Sequence, residues 1–305
     1  MAKASTLSPD KRSAWNFWLY ISPWIVGFST FILGPMLYSL YLSLTNARLG
    51  KIGDFVGLKN YLDVFKDDLF FVALKNTLYF AIFSVPLQLL LAFFLASLLN
   101  QKLRGIGIFR TIFYVPSVIA GISTVLLWSW VFNSSYGLVN YILSLFNIIG
   151  PNWLADSRYA IPAIIIMGLH GGVGGAMLIF RAALQEVPAA LYESAEIDGA
   201  GMFRKLTNIT LPYISPTIFF NLILGIIGAL QVFIQPYIFG QLNQNLGRNR
   251  GMYVYVQYLF DSGFRYYQAG YGSAIAWILF VLTLSLTLII MRLSNSWVYY
   301  GGGEN

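Results

Sequence analysis

Residues 76–101 read NTLYFAIFSVPLQLLLAFFLASLLNQ, twenty-six positions with no Asp, Glu, Lys or Arg. A transmembrane helix needs about 20 consecutive, mostly apolar residues, so this stretch predicts one full crossing. Outward from it lie five more charge-free stretches of sufficient length: Ser13–Ala47, Thr111–Ala155, Tyr159–Phe180, Leu206–Gly247 and Tyr266–Met291. The third and fifth exceed one crossing, but neither easily holds two. Within the third, Thr111–Phe132 reads as the span. Leu138–Ile149, bounded by Asn133, Ser134, Ser135 and by Gly150, Pro151, is too short to cross and reads as an interfacial helix. Within the fifth, Pro216–Phe239 is the span and Gln241–Gly247 a polar loop. The expectation is an all-α integral membrane protein with six transmembrane helices at about 15–44, 76–100, 111–132, 159–180, 216–239 and 270–291. These form a single transmembrane domain over residues 1–305.

Composition agrees. Among 305 residues only 10% are charged, against a usual ~25%, too few to cover a soluble surface. Mean hydropathy is +0.66. The absence of cysteine excludes a disulfide scaffold, a thiolate metal site and a cysteine nucleophile. The net charge of +7 is a topology signal in such a chain before it is a nucleic-acid signal. The first apolar stretch is far longer than a cleaved leader's core and reads as a retained anchor. With the N-terminus cytoplasmic, the basic residues divide almost evenly between the two sides. Gln101–Arg110, a tight turn with three basic residues and no acid, is the segment hardest to translocate. That places both termini in the cytoplasm.

No carboxylate, lysine or arginine lies in the middle of any span; Lys75 sits near a helix end, where it can snorkel. Ion-coupled transporters usually carry such groups as relays. Uphill work would therefore enter from outside the bilayer, while a passive channel stays open as a reading. The fifth span carries Asn221, Gly225, Gly228, Gln231 and Gln235, which cluster on one face at helical spacing. Such a stripe faces protein or water. It reads either as the lining of a polar solute path or as interhelical packing. The fourth span, GLHGGVGGAM at 168–177, holds the small-xxx-small pairs Gly168/Gly172 and Gly171/Gly175, a signature of close helix approach. His170 lies on another face, able to donate to a substrate hydroxyl or simply to pack. No second ligand stands at metal spacing, so no metal site is expected.

The connection with most structure is Arg181–Leu211, RAALQEVPAALYESAEIDGAGMFRKLTNITL. Pro188 suits a first helical position, Ala189–Asp198 is helix-forming, and Gly199 can end that helix in a left-handed conformation. Met202–Asn208 restarts the helix. The unit is tethered to the membrane at both ends, which excludes a helix-turn-helix on DNA.

These residues resemble the EAA motif of importer-type ABC transporter permeases. Glu193, Ser194 and Ala195 are followed after three residues by Gly199, then after nine by Ile209-Thr210-Leu211-Pro212; Ser194 stands where the family has its first alanine. Val187-Pro188, Tyr192-Glu193 and Ile197-Asp198-Gly199-Ala200 are similar to the carbohydrate-uptake, maltose-type branch. So are Ser43-Leu44-Thr45, Phe55–Tyr61, Leu74–Leu78, Phe109-Arg110 with Val115-Pro116, Gly270–Ala274 and Trp297–Tyr300. The Gly-Gly-Pro stretch common after the fifth span is replaced here by QLNQNLGRNR at 241–250.

The resemblance implies a type I importer bundle in a bacterial cytoplasmic membrane. It further implies a second homologous permease, a cytoplasmic ATPase dimer and an extracytoplasmic binding protein that delivers a sugar or oligosaccharide. Glu193, Ser194, Ala195, Asp198 and Gly199 would couple to the ATPase; His170, Asn221, Gln231 and Gln235 would line the path. ATP and Mg would bind in the partner, since this chain lacks the phosphate loop G-x-x-x-x-G-K-[ST]. No catalytic residue and no resident cofactor are expected. The alternatives are a permease for another polar solute, such as a phosphorylated polyol, and a stand-alone channel. A membrane enzyme would have to draw on Asp156, Asp261 or the Glu186/Glu193/Glu196 group, which form no recognisable constellation.

Overall fold

The computed structural model describes residues 11–101, 104–119, 121–242 and 250–299. Residues 243–249, most of the atypical stretch after the fifth span, lie outside them, as do Lys3 and Lys102. Helices account for nearly all ordered structure: α1 (Lys11–Phe28), α2 (Gly34–Ser43), α3 (Lys59–Val64), α4 (Asp68–Leu99), α5 (Ile106–Val118), α6 (Gly121–Val131), α7 (Leu138–Leu145), α8 (Ser157–Glu186), α9 (Ala189–Ile197), α10 (Met202–Lys205), α11 (Leu211–Tyr213), α12 (Ser215–Leu230), α13 (Ile234–Leu242), α14 (Tyr255–Phe260) and α15 (Ala269–Ser294). Five helical stretches are long and apolar enough to cross a membrane, and a sixth arises if α5 and α6, bent by 102°, form one broken span. The third span is thus two helices rather than one rod. Leu138–Ile149 does hold a short helix, α7, at its start.

The chain packs as two compact units, one of Met1–Lys66 with Asp261–Ile278, the other of Asp67–Phe260 with Leu279–Asn305. In the first, α1 and α2 are joined by a π-helical turn at Ser29–Leu33. Asn60 closes the end of α2, its Nδ2 donating to the carbonyls of Ser43 and Thr45 at 2.8 Å each. Tyr61 Oη meets Ser43 Oγ at 2.7 Å. Gly270 N donates to the Ala47 carbonyl at 2.9 Å. A side chain at Gly270 would run into the Thr45 backbone, so this crossing accepts glycine alone. Several of the motif residues outside the 181–211 loop thus serve to fix this unit's first loop.

In the second unit, α4 and α8 form the central pair, with α12 packed on α4. Aspartates cap both long helices, Asp67 accepting from Leu69 N and Asp156 from Arg158 N, each at 2.9 Å. Ala92, Ala96, Val173, Ala176, Met177 and Phe180 are buried together. Small residues there let backbones approach, as membrane helices require when the hydrophobic effect cannot drive their association. Of the two predicted glycine pairs, Gly168/Gly172 faces α4: their Cβ positions would lie 3.9 Å from Phe80 and 3.0 Å from Gln88. Gly171 and Gly175 have open space instead. The tightest contact in α8 is Gly174, where a Cβ would sit 2.7 Å from the Phe113 carbonyl and 3.1 Å from Tyr114 Cα. Both are backbone atoms of α5 and cannot swing aside. Gly174→Ala is expected to destabilise the subunit by about 1–3 kcal/mol through overpacking, read as a lowered thermal unfolding midpoint in detergent, while Gly171→Ala leaves that midpoint unchanged.

Candidate functional site

Two features stand out in the second unit, a cavity between helices and a structured loop beyond them. The cavity has a volume of about 570 Å³ and is bounded by α4, α8, α12 and the start of α13. Its polar lining is Ser84, Gln88, Asn221, Gln231 and Gln235, and no charged side chain lines it. Three of the four path residues expected from sequence therefore converge on it. The fourth does not: His170 lies outside the lining, exposed and edge-on to Trp128 with ring centroids 5.7 Å apart.

Asn221, Gly225 and Gly228 share the face of α12, but the helix stops at Leu230. Gln231–Phe233 interrupt it before α13 begins at Ile234. The cause is Pro236. It has no N–H for the Val232 carbonyl, its ring would crowd that carbonyl, and it fits the first turn of a new helix. The stripe read as one helix face is thus a helix end, an opened turn and a helix start. Irregular backbone at membrane depth is tolerated only where it is buried in protein or lines a cavity, and Gln231 through Gln235 all line this one.

Gln88 was not singled out from sequence, although a lone glutamine inside the apolar 76–101 stretch is a visible signal. Its Nε2 donates to the Gly172 carbonyl at 3.0 Å, and its carboxamide lies flat on the α8 backbone where Gly172 has no side chain. A pocket lined by three carboxamide side chains, one more amide, a hydroxyl and apolar walls suits a neutral polar solute: each amide both donates and accepts.

The 181–211 loop folds as predicted in outline. Pro188 sits one position earlier than expected, as the cap of α9 at φ −60, ψ 129. Gly199 has φ +70. Ala200 N donates to the Ala195 carbonyl at 2.8 Å and Gly199 N to that of Glu196 at 3.0 Å, the paired bonds of a Schellman stop. Two contacts invisible in the motif then pin α9 to the returning chain: Tyr192 Oη to Thr210 Oγ1 at 2.9 Å, and Lys205 Nζ to Glu196 Oε1 at 2.6 Å. The Lys205 hydrogen bond holds the Glu196 carboxyl below the usual carboxylate range. The pair therefore persists at neutral pH and fades only as pH falls through that lowered value.

Glu193, Ser194 and Asp198 are exposed along this loop, Ala195 is half-buried, and at its tip Ile197, Met202 and Phe203 are 87%, 89% and 77% exposed. Large apolar side chains exposed together in this way mark a contact surface, for protein or for membrane. Asp156 and Asp261, the carboxylates an enzyme would have to recruit, are engaged structurally: one caps α8 and pairs with Arg158, the other faces Arg265 at 3.8 Å.

Apolar helices around an uncharged cavity, with a hydrogen-bonded loop beyond them, fit a membrane transport subunit. The chain belongs to the family described as binding-protein-dependent transport system inner membrane component, which matches residues 88–298. It is 35% identical to YesP of Bacillus subtilis (strain 168), a probable ABC transporter permease protein, over 100% of this chain and 97% of that one. It is 34% identical to MalF, a trehalose/maltose transport system permease protein of Thermococcus litoralis, over 93% and 95% of the two. The fold matches a chain of a bacterial alginate ABC transporter, solved in complex with an alginate pentasaccharide-bound periplasmic protein, with a TM-score of 0.79, 24% identity and coverage of 94% and 96%.

Proposed function

We propose that this chain is the permease subunit of an ATP-driven importer that moves a sugar or oligosaccharide handed over by an extracytoplasmic binding protein. The observation that carries the reading is the pairing of a charge-free, amide-lined cavity with a rigid loop whose apolar tip is uncovered. A path lined by carboxamides favours a neutral polyhydroxyl solute over a phosphorylated one, for which no cation stands in the lining. A stand-alone channel has no use for a stapled loop with exposed Ile197, Met202 and Phe203. The named relatives include a trehalose/maltose permease and a lactose permease, which supports the substrate class.

In this reading a second homologous permease completes the pathway and two ATPase chains bind beneath. ATP and Mg are held in those chains, and this subunit is not catalytic. Both termini and the 181–211 loop face the cytoplasm. Ile197, Met202 and Phe203 seat in a cleft of the ATPase, Glu193 and Asp198 contact its rim, and Gly199 sets the angle between the two arms. ATP-driven closure of the ATPase pair moves the loops and turns the bundle from inward- to outward-facing. The solute then meets Gln88, Asn221, Gln231 and Gln235.

The test is co-purification from solubilised native membranes with a tag after Glu304. A Walker-type ATPase and a second permease should be recovered, and the joint Glu193→Ala, Gly199→Val variant should lose the ATPase. A well-folded sample that brings down no ATPase overturns the importer reading.

A further inference from the structure

Within the second unit three helix ends meet at the side of the 181–211 loop: the end of α4, the start of α5 and the last turns of α8. Arg181 on α8 donates its Nε to the carbonyl of Leu99, the last residue of α4, at 3.3 Å. Arg110 stands one turn before Phe113 and Tyr114 of α5, which pack on Gly174 of α8, and so lies toward the Arg181 end of that helix. Its own Nε is buried and has no hydrogen-bond partner. No carboxylate answers either group: the ion pairs among the described residues are Asp156–Arg158, Glu196–Lys205 and Asp261–Arg265. The preceding segment, Gln101–Arg110, adds Lys102 and Arg104 to the sequence and no acid.

A guanidinium does not shed its proton in a protein, so two of them cannot relieve their repulsion by titrating. A partly buried cation without a counter-charge is costly, and the usual remedy is an anion. The depth of the site indicates which. On the turn that carries Arg110, Ile108, Phe109 and Ile112 are 68%, 55% and 57% exposed, side chains that call for hydrocarbon. In the sequence the residues just before α5, Gln101, Lys102 and Arg104, are polar or basic. The arginines therefore sit where hydrocarbon gives way to headgroups, and basic pockets between helices at that level fit lipid phosphates.

We propose that Arg110 and Arg181 form a binding site for the phosphate group of an anionic phospholipid in the leaflet on the loop side. The planar forks of the two guanidiniums match phosphate oxygens better than point charges do. A lipid held there clamps the ends of α4, α5 and α8 together directly beside the coupling loop, so it stiffens the support on which that loop pushes.

The test uses the complete transporter with its partner chains, in nanodiscs of phosphatidylcholine with or without phosphatidylglycerol. Native mass spectrometry should find phosphatidylglycerol retained on the wild type. Arg110→Gln and Arg181→Gln should each lower retention roughly fivefold, in line with the usual contribution of one cation at an anionic surface. ATPase stimulation by the loaded binding protein should be higher with phosphatidylglycerol, and the double variant should lose that difference. Inorganic phosphate added to phosphatidylcholine discs should not substitute; if it does, the source is soluble phosphate and the lipid assignment falls. Equal lipid retention by wild type and double variant overturns the site. So does a variant that sheds a partner chain while keeping its lipid, which would assign the arginines to a partner's carboxylate. If the glutamine variants fail to assemble, Arg110→Lys and Arg181→Lys are used: lost fork geometry should weaken retention, and unchanged retention overturns the proposal.

Discussion

Gly199→Val should abolish coupling: binding-protein-stimulated ATP hydrolysis and solute uptake fall more than tenfold while the subunit still inserts and folds. The effect is conformational, not steric. Nothing lies within 4 Å of a Cβ at Gly199, so added bulk meets no wall. The backbone, however, has φ +70 there. A residue other than glycine pays about 1–2 kcal/mol in that region, and a β-branched one is a genuine outlier there. The chain escapes the strain by giving up the turn, and with it the two bonds from Gly199 N and Ala200 N, each contributing roughly 0.5–1.5 kcal/mol. Each 1.4 kcal/mol is about tenfold in an equilibrium, so a strained or opened turn leaves the apolar tip misaligned in most molecules. Gly199→Asn is the control, because asparagine visits the left-handed region readily. It should retain most of the coupling. A valine variant with normal stimulated hydrolysis would show that the turn's geometry carries nothing.

The spans were legible because the bilayer imposes one rule, continuous apolar sequence, and this chain follows it. What that rule hides is what happens at the ends and inside the spans. Helix α4 starts at Asp68, eight residues before the charge-free stretch, because Asp67 caps it and the first turns need not lie in hydrocarbon. The bend between α5 and α6 lies inside one unbroken apolar run, flanked by Pro116 and Gly121, so hydropathy alone does not reveal it. The opening at Gln231–Phe233 was hidden differently. Pro236 was visible, but the regular spacing of Asn221, Gly225, Gly228, Gln231 and Gln235 suggested an unbroken face.

The 181–211 loop was more legible than the cavity, for a local reason. A Schellman stop is set by five or six consecutive residues, so Ala195–Ala200 could be read directly. The cavity joins residues far apart in the chain: Gln88 and its partner Gly172 are 84 positions apart. Periodicity along one helix cannot report such a contact. His170 illustrates the same limit: its face on α8 was correctly separated from the glycine pairs, yet only the position of Trp128 shows what that face meets.

Gly228→Phe should stop transport without unfolding the subunit. Gly228 lines the cavity and has nothing within 4 Å of its Cβ position. Its backbone is ordinary α-helix, near the end of α12, so the substitution carries no φ penalty. A phenyl ring there projects into the space the solute needs, between Gln88 on one side and Gln231 on the other. The contrast with Gly174→Ala separates two roles of glycine in one bundle. A single methyl at Gly174 meets α5 backbone and harms the fold; at Gly228 the Cβ has no neighbour within 4 Å and opens on the cavity, so the ring is expected to harm the path. Uptake in reconstituted vesicles should drop to background, while co-purification of the partner chains and basal ATP hydrolysis stay at wild-type levels. Gly228→Ala, small enough to leave the lumen open, should transport nearly normally. If Gly228→Phe still transports, the solute does not pass between α4 and α12, and the amides gathered there are interhelical packing.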